Sequence, residues 1–172
     1  IKVSEIGFGA WGIGGATENA TSYGPTDDKE SKRALRAAYE RGITFYDTSN
    51  LYGYGHSEEL IGEELHDVRD KIVIATKVGI VEHRGRQDFS PEYVRKSVEE
   101  SLRRLQTDYI DVYQLHSPPI EMLHESGIMD MFWQLKKERC SFCHSEEQSD
   151  EESKRQDPSR LFGMTNNRND KR

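Results

Sequence analysis

Cysteine is nearly absent. The 172 residues hold two, Cys140 and Cys143. Two neighbouring thiols cannot build a disulfide framework, and the chain reads as cytoplasmic. With His144 they spell Cys-x-x-Cys-His, a haem-attachment spacing. The Ser, Glu and Asp residues around them offer no apolar pocket for a haem, and no helix start or βαβ unit makes them a redox pair. Long apolar runs are also missing. No stretch of about 18 apolar residues occurs, so no membrane-spanning helix is expected. No charged segment followed by an apolar one marks a secretory signal. Basic excess is missing too: Lys and Arg number 24 against 31 Asp and Glu, a net charge of −7. Binding phosphates needs a basic face, so nucleic acid is not the expected partner. The acidic balance reads as a solvated surface. Metal-ligand spacing is absent, since the six histidines are scattered with no His-x-x-x-His pair. The first residue is Ile rather than Met, so the chain is expected to be a segment of something longer.

What is present is an alternation of strand and helix signals. Val3 to Trp11 is apolar with small residues and runs into Gly12, Gly14 and Gly15. A helix is expected from Asp28 to Arg41, with Asp27 as N-cap, Glu30 three residues on and Gly42 as the stop. Ala34, Leu35, Ala38 and Tyr39 fall on one of its faces. Ile43 to Tyr46 reads as a strand. Ser57 is the expected cap of a second helix carrying Leu60, Ile61, Glu64 and Leu65. Ile72 to Ala75 is a β-branched run of the kind covered on both faces. Ser90-Pro91 opens a third helix with Val94, Val98, Leu102 and Leu105 at helical spacing. Ile110 to Leu115 is a further strand, less apolar at Asp111. A fourth helix, Gly127 to Lys137, turns Ile128, Met131, Phe132 and Leu135 inward. Four β-then-α units imply a parallel sheet. The glycines between Gly7 and Gly15 open no helix directly, so a dinucleotide fingerprint is weak. A (β/α) barrel is the better reading.

Four chemically capable residues fall at, or just past, the C-terminal ends of these strands: Asp47, Tyr52, Lys77 and His116. In a barrel those ends converge on one face, the face that holds active sites. A free tyrosine has a pKa of about 10 and is a reluctant acid at neutral pH. A nearby lysine cation favours the phenolate. Asp47 is able to hold such a lysine, and His116 to hydrogen-bond a substrate oxygen. Together they form a general acid suited to protonating a carbonyl oxygen as a hydride arrives. Singly, Asp47 also reads as a turn cap, Tyr52 as a half-buried loop aromatic, Lys77 as a surface residue and His116 as a turn residue. Their joint placement favours the functional reading.

The segments Gly7-Phe8-Gly9-Ala10-Trp11-Gly12, Phe45 to Gly62, Ala75-Thr76-Lys77 and Tyr113-Gln114-Leu115-His116 resemble the aldo-keto reductase family. The signature Asp47-Thr48-Ser49-x-x-Tyr52-Gly53, followed by Ser57-Glu58 and Leu60-x-Gly62, is specific. The resemblance covers residues 1–138. It implies a (β/α)8 TIM-type barrel, here cut to its first four β/α units, and reduction of aldehydes or ketones to alcohols by hydride transfer. It implies Tyr52 as general acid, Lys77 and Asp47 as its tuners and His116 as the group orienting the carbonyl. It further implies NADPH as cofactor, met by Gly9, Ala10, Trp11 and Asp47, and a small-molecule carbonyl compound as substrate. The loop from Gly12 through Tyr23 is similar to that of bacterial members acting on aldehydes or sugars.

The resemblance stops near Glu138. Relatives continue into a fifth strand of the type Gly-Lys-Ile/Val-Arg-x-Ile-Gly-Val-Ser, whereas this chain reads Arg139-Cys140-Ser141-Phe142-Cys143-His144. Residues 139–172 are polar and are expected to be disordered, since such a segment buries too little surface to offset its ordering entropy. The switch reads as a frameshift or fusion replacing the second half of a reductase. Four strands cannot close an eight-strand barrel, so open sheet edges and self-association through them are expected. Most cofactor-holding residues of relatives lie in the missing half, so weak NADPH binding is expected. The alternative reading is a non-catalytic half-barrel or partner-binding module. A regulatory reductase-like subunit has only fold analogy behind it.

Overall fold

The structure is a computed structural model and describes residues 1–16, 22–83, 85–124 and 126–143. Four parallel strands, β1 (Phe8–Gly9), β2 (Phe45–Asp47), β3 (Val73–Val78) and β4 (Val112–Leu115), lie in the order β1-β2-β3-β4. Each is followed in the chain by a helix: α1 (Asp28–Glu40), α2 (His56–Leu65), α3 (Pro91–Arg104) and α4 (Ser126–Cys143). This sequential parallel order is that of consecutive β/α units in a barrel wall.

The local signals explain the element limits. Asp27 caps α1, its carboxylate accepting the Glu30 N–H at 2.9 Å. Gly42, at φ +86°, supplies the left-handed residue that ends the helix. Ser90 caps α3 by accepting the Tyr93 N–H at 3.3 Å, with Pro91 at the first helical position. On α1 the buried stripe is Ser31, Leu35 and Ala38, whereas Ala34 is exposed. Ser57 is not the cap of α2. Gly55 holds that position at φ +102°, and Ser57, the second residue of the helix, is fully buried. Gly7, Gly9 and Gly12 do have dinucleotide-fingerprint spacing, but they run through β1 into a 3-10 turn at Gly12–Gly14. The first α-helix waits until Asp28, so the phosphate-cradling geometry of that motif is not built. The first strand is therefore only two residues long. The fourth helix continues through Cys143, five residues beyond Glu138. Residues 144–172, where most of the expected disorder falls, lie outside the described residues.

Two apolar clusters fill the space between sheet and helices. One gathers Leu35, Tyr46, Leu60, Ile61, Leu65 and Ile74 from α1, α2, β2 and β3. The other gathers Val78, Val94, Val98, Leu102, Met131 and Leu135 from β3, α3 and α4. Tyr46 is wholly buried, and burial pushes its phenol up to about 12. Asp111, out of pattern in an apolar strand, ties the sheet at its lower end. It accepts the Ile74 N–H at 2.9 Å and an Arg69 N–H at 2.6 Å. Arg69 also donates to the Ile72 and Tyr109 carbonyls. The strand alternation puts Asp47, Ala75, Lys77 and Gln114 on the face away from the helices. Among the described residues no strand pairs with the outer edge of β1 or β4, and no helix is long and apolar enough to cross a membrane.

Candidate active site

The register brings the sequence-derived residues together. Gly9 pairs with Asp47, the last residue of β2, and Asp47 with Ala75 of β3. Lys77 lies two residues beyond Ala75 and so points to the same face, one position before β3 ends. His116 is the first residue after β4, and its N–H bonds the Val78 carbonyl at 2.8 Å. Tyr52 opens the 3-10 turn Tyr52–Gly55 that leads into α2. That turn needs Gly53: its φ is +60°, and a Cβ there would strike the Gly14 carbonyl.

Lys77 is the centre of the site. Its ammonium donates to Asp47 Oδ1 at 2.6 Å, to the Thr48 carbonyl at 2.8 Å and to Tyr52 Oη at 3.4 Å. An ammonium has three N–H donors, and all three are directed here. The Lys77 side chain is 15% exposed and that of Asp47 36%, so the pair sits at the floor of an open face. The His116 ring stands edge-on to the Tyr52 ring, centroids 6.0 Å apart. All four residues read from the sequence are therefore within one cluster. His116 has its imidazole pKa held below the usual range, first by burial and then by the Lys77 charge, with Asp47 opposing and His83 adding slightly.

Other residues hold this cluster, though the sequence assigned them no part in it. Thr48 and Ser57 are buried and hydrogen-bonded at 2.9 Å, and the Ser57 hydroxyl donates to the Ala10 carbonyl at 2.9 Å. This chain locks the loops after β1 and β2 to the start of α2. Ser49 is buried and lies 3.1 Å from His116 Nδ1. Both Thr48 and Ser49 stand inside the Asp47–Tyr52 signature. Two small hydroxyl residues at a strand end are the signal that points to them.

The first loop takes a graded position. Gly9 is exposed, with nothing within 4 Å of where a Cβ would stand. Ala10 is fully buried, its N–H on the Asp47 carbonyl at 2.8 Å. Trp11 is half-buried and packs against Tyr23 with the rings tilted, centroids 4.8 Å apart. Bare space above Gly9, beside a part-exposed Asp47 carboxylate, fits the approach of a flat ring. Lys77 has no donor left for a phosphate.

Known proteins resemble this chain. Residues 5–138 match the pattern that defines the Aldo/keto reductase family. The chain is 43% identical over 133 residues to aldo-keto reductase YhdN of Bacillus subtilis, covering 74% of this chain and 38% of that protein. The holo form of aldo-keto reductase AKR11C1 from Bacillus halodurans superposes with a TM-score of 0.68 at 37% identity, covering 80% of this chain and 44% of that one. An aldo-keto reductase of Klebsiella pneumoniae solved in complex with NADPH superposes with a TM-score of 0.60 at 30% identity, over 79% of this chain and 42% of that one. The chain thus spans about two-fifths of the length of these relatives. With a matched region that takes in every residue of the Asp47–Tyr52–Lys77–His116 cluster, the chain belongs to the aldo/keto reductase family.

Proposed function

We propose that this chain carries the proton-donating part of an NAD(P)H-dependent reductase that converts aldehyde or ketone carbonyls to alcohols. The observation that supports it best is the Lys77 ammonium, shared between the Asp47 carboxylate at 2.6 Å and the Tyr52 hydroxyl at 3.4 Å. In this reading a reduced nicotinamide, when bound, supplies the hydride that the carbonyl carbon accepts. Tyr52 gives its O–H proton to the carbonyl oxygen, and the negative charge left on Tyr52 Oη faces the Lys77 ammonium. Asp47 keeps that ammonium from turning away. His116, uncharged at neutral pH, is placed to hydrogen-bond the same oxygen and set its direction. A solvent proton then restores Tyr52.

The residues fit the reacting end of the cofactor better than its phosphates. Gly9 leaves room beside Asp47, Ala10 fixes the loop, and Trp11 stands at the mouth. Lys77 is fully engaged, so binding of NADPH by this chain alone is weak in our reading. The second reading, a half-barrel acting without catalysis, is favoured by the unpaired outer edges of β1 and β4. An NADPH titration followed by tryptophan fluorescence, with aldehyde-dependent NADPH oxidation measured beside it, separates the two. Trp11 reports the site, and Trp133 on α4 gives a distant background. Saturable quenching, with turnover that drops about 10²- to 10⁴-fold in Tyr52→Phe, supports the reductase. A soluble chain with no quenching and no turnover at any cofactor concentration leaves the half-barrel reading.

A further inference from the structure

Ser49 is wholly buried, yet its hydroxyl meets three polar partners. Its Oγ accepts the Leu51 N–H at 3.1 Å, lies 3.1 Å from His116 Nδ1, and lies 3.4 Å from Asn50 Oδ1. A hydroxyl has one proton to give. Leu51 already occupies a lone pair, so the Ser49 proton goes to either His116 or Asn50. The His116 contact is the shorter, and an imidazole nitrogen that carries no proton is a strong acceptor. Asn50 uses its side-chain nitrogen on Tyr93 Oη at 3.5 Å, and its Oδ1, at 3.4 Å, is the more distant acceptor for Ser49. On the other side of the ring, His116 Nε2 has no hydrogen-bond partner among the described residues.

We propose that Ser49 is a positioning residue: its hydroxyl donates to His116 Nδ1 and so places the imidazole proton on Nε2, facing the carbonyl oxygen that Tyr52 protonates. The tautomer of a histidine is set by the hydrogen bond its other nitrogen makes. The chemical consequence is direct. With the proton on Nε2 the ring donates to a carbonyl oxygen. With the proton on Nδ1 the ring would present a lone pair to another lone pair, and the substrate would be repelled. The main chain supports the arrangement, because the His116 N–H is fixed to Val78 and the Ser49 carbonyl to the Tyr52 N–H. Ser49 thus meets the His116 ring through its hydroxyl and the Tyr52 main chain through its carbonyl. The inference rests on the reductase reading for its purpose, but not for its test.

The test is the long-range ¹H–¹⁵N spectrum of the histidines in the labelled full chain, taken above the His116 titration. The expected pattern is an unprotonated Nδ1 and a protonated Nε2 for His116. Ser49→Ala is expected to pull both ¹⁵N shifts toward each other as the tautomers mix. Ser49→Cys, a poor donor of similar volume, does the same if alanine leaves the chain unfolded. Asn50→Ala removes the competing acceptor and is expected to leave Nε2 protonated. A wild-type spectrum with the proton on Nδ1 overturns the proposal by itself, as does a folded Ser49→Ala with unchanged shifts. No turnover is involved. An inactive chain with Nε2–H defeats the catalytic reading and leaves this one standing.

Discussion

At the scale of single residues, the site is a contest over one ammonium. Lys77 holds Asp47, Thr48 and Tyr52 together, so Lys77→Met frees the Tyr52 ring and leaves the Asp47 carboxylate without its cation. His116 reports this change. Burial and Lys77 both hold its pKa down, while Asp47 pulls it up. An NMR titration of the folded chain is expected to show His116 with a midpoint below the ordinary value of about 6.5. Lys77→Met is expected to raise that midpoint, because a lowering charge is lost and Asp47 is unmasked. The rise stays incomplete, since burial is the larger cause. A midpoint that falls, or stays fixed, in Lys77→Met refutes the arrangement. The linkage has a definite sign. A depressed histidine is bound by fewer protons when folded, so its contribution to stability is complete above about pH 6.5 and is lost as pH falls toward the folded pKa. Chemical denaturation at a series of pH values between neutral and acid tests that, with His116→Gln flattening the slope. These four residues were legible in the sequence because each stands at a strand end with a function its type performs. Ser49, Thr48 and Ser57 were not, since a hydroxyl residue carries no sign of which neighbour it will bond until the register of β1, β2 and β3 is known.

At the scale of elements, a buried ion pair joins α2 to α3. Glu58 is fully buried, and Arg104 donates to it at 2.7 Å. The Thr76 hydroxyl donates to the other carboxylate oxygen at 2.6 Å, which adds β3 to the junction. The two partners are not equally replaceable. Arg104 also lies 3.8 Å from Glu100 and keeps the Ser101 hydroxyl at 3.4 Å, whereas Glu58 has no second cation among the described residues. Removing Arg104 therefore strands a buried carboxylate. Arg104→Met is expected to cost about 3–5 kcal/mol, the range for breaking a buried pair, and Glu58→Gln distinctly less, since the amide still accepts from Thr76. Urea unfolding of both variants measures this. An Arg104→Met loss no greater than the roughly 1 kcal/mol of an exposed pair would falsify the claim. Caps and stripes were readable in advance at Asp27, Ser90 and Pro91, because capping is local chemistry. The α2 start was misread at Ser57, where a residue of good capping type is taken by tertiary bonding to Ala10 and Thr48 and the positive-φ Gly55 ends the turn instead. The Val3 to Trp11 run shrank to Phe8–Gly9 because its apolar Val3 and Ile6 stay exposed and pairing with β2 takes in only two residues.

For the whole molecule, the decisive feature is a parallel sheet with two bare sides. The outer edges of β1 and β4 carry backbone N–H and C=O groups that no described strand meets. Phe45, Val73 and Val112 are only half-buried on the inner face, where strand alternation groups them. A second copy related by a two-fold axis along the strands would set β4 of each chain beside β1 of the other. All strands would stay parallel, and eight of them would close around those side chains. The clusters of Asp47, Tyr52, Lys77 and His116 would then lie at the same end of the assembly. Sedimentation velocity over a concentration series is expected to show a monomer giving way to a dimer. The unfolding midpoint is expected to rise with chain concentration, because association stabilises the folded state by mass action. NADPH-dependent quenching of Trp11, where it occurs, should follow the dimer fraction rather than the total chain. One sharp unfolding transition of a monomer, unchanged across the series, excludes pairing through the edges. Growth into ever larger species without a dimer means the edges associate in disorder, and that no barrel-like core is rebuilt.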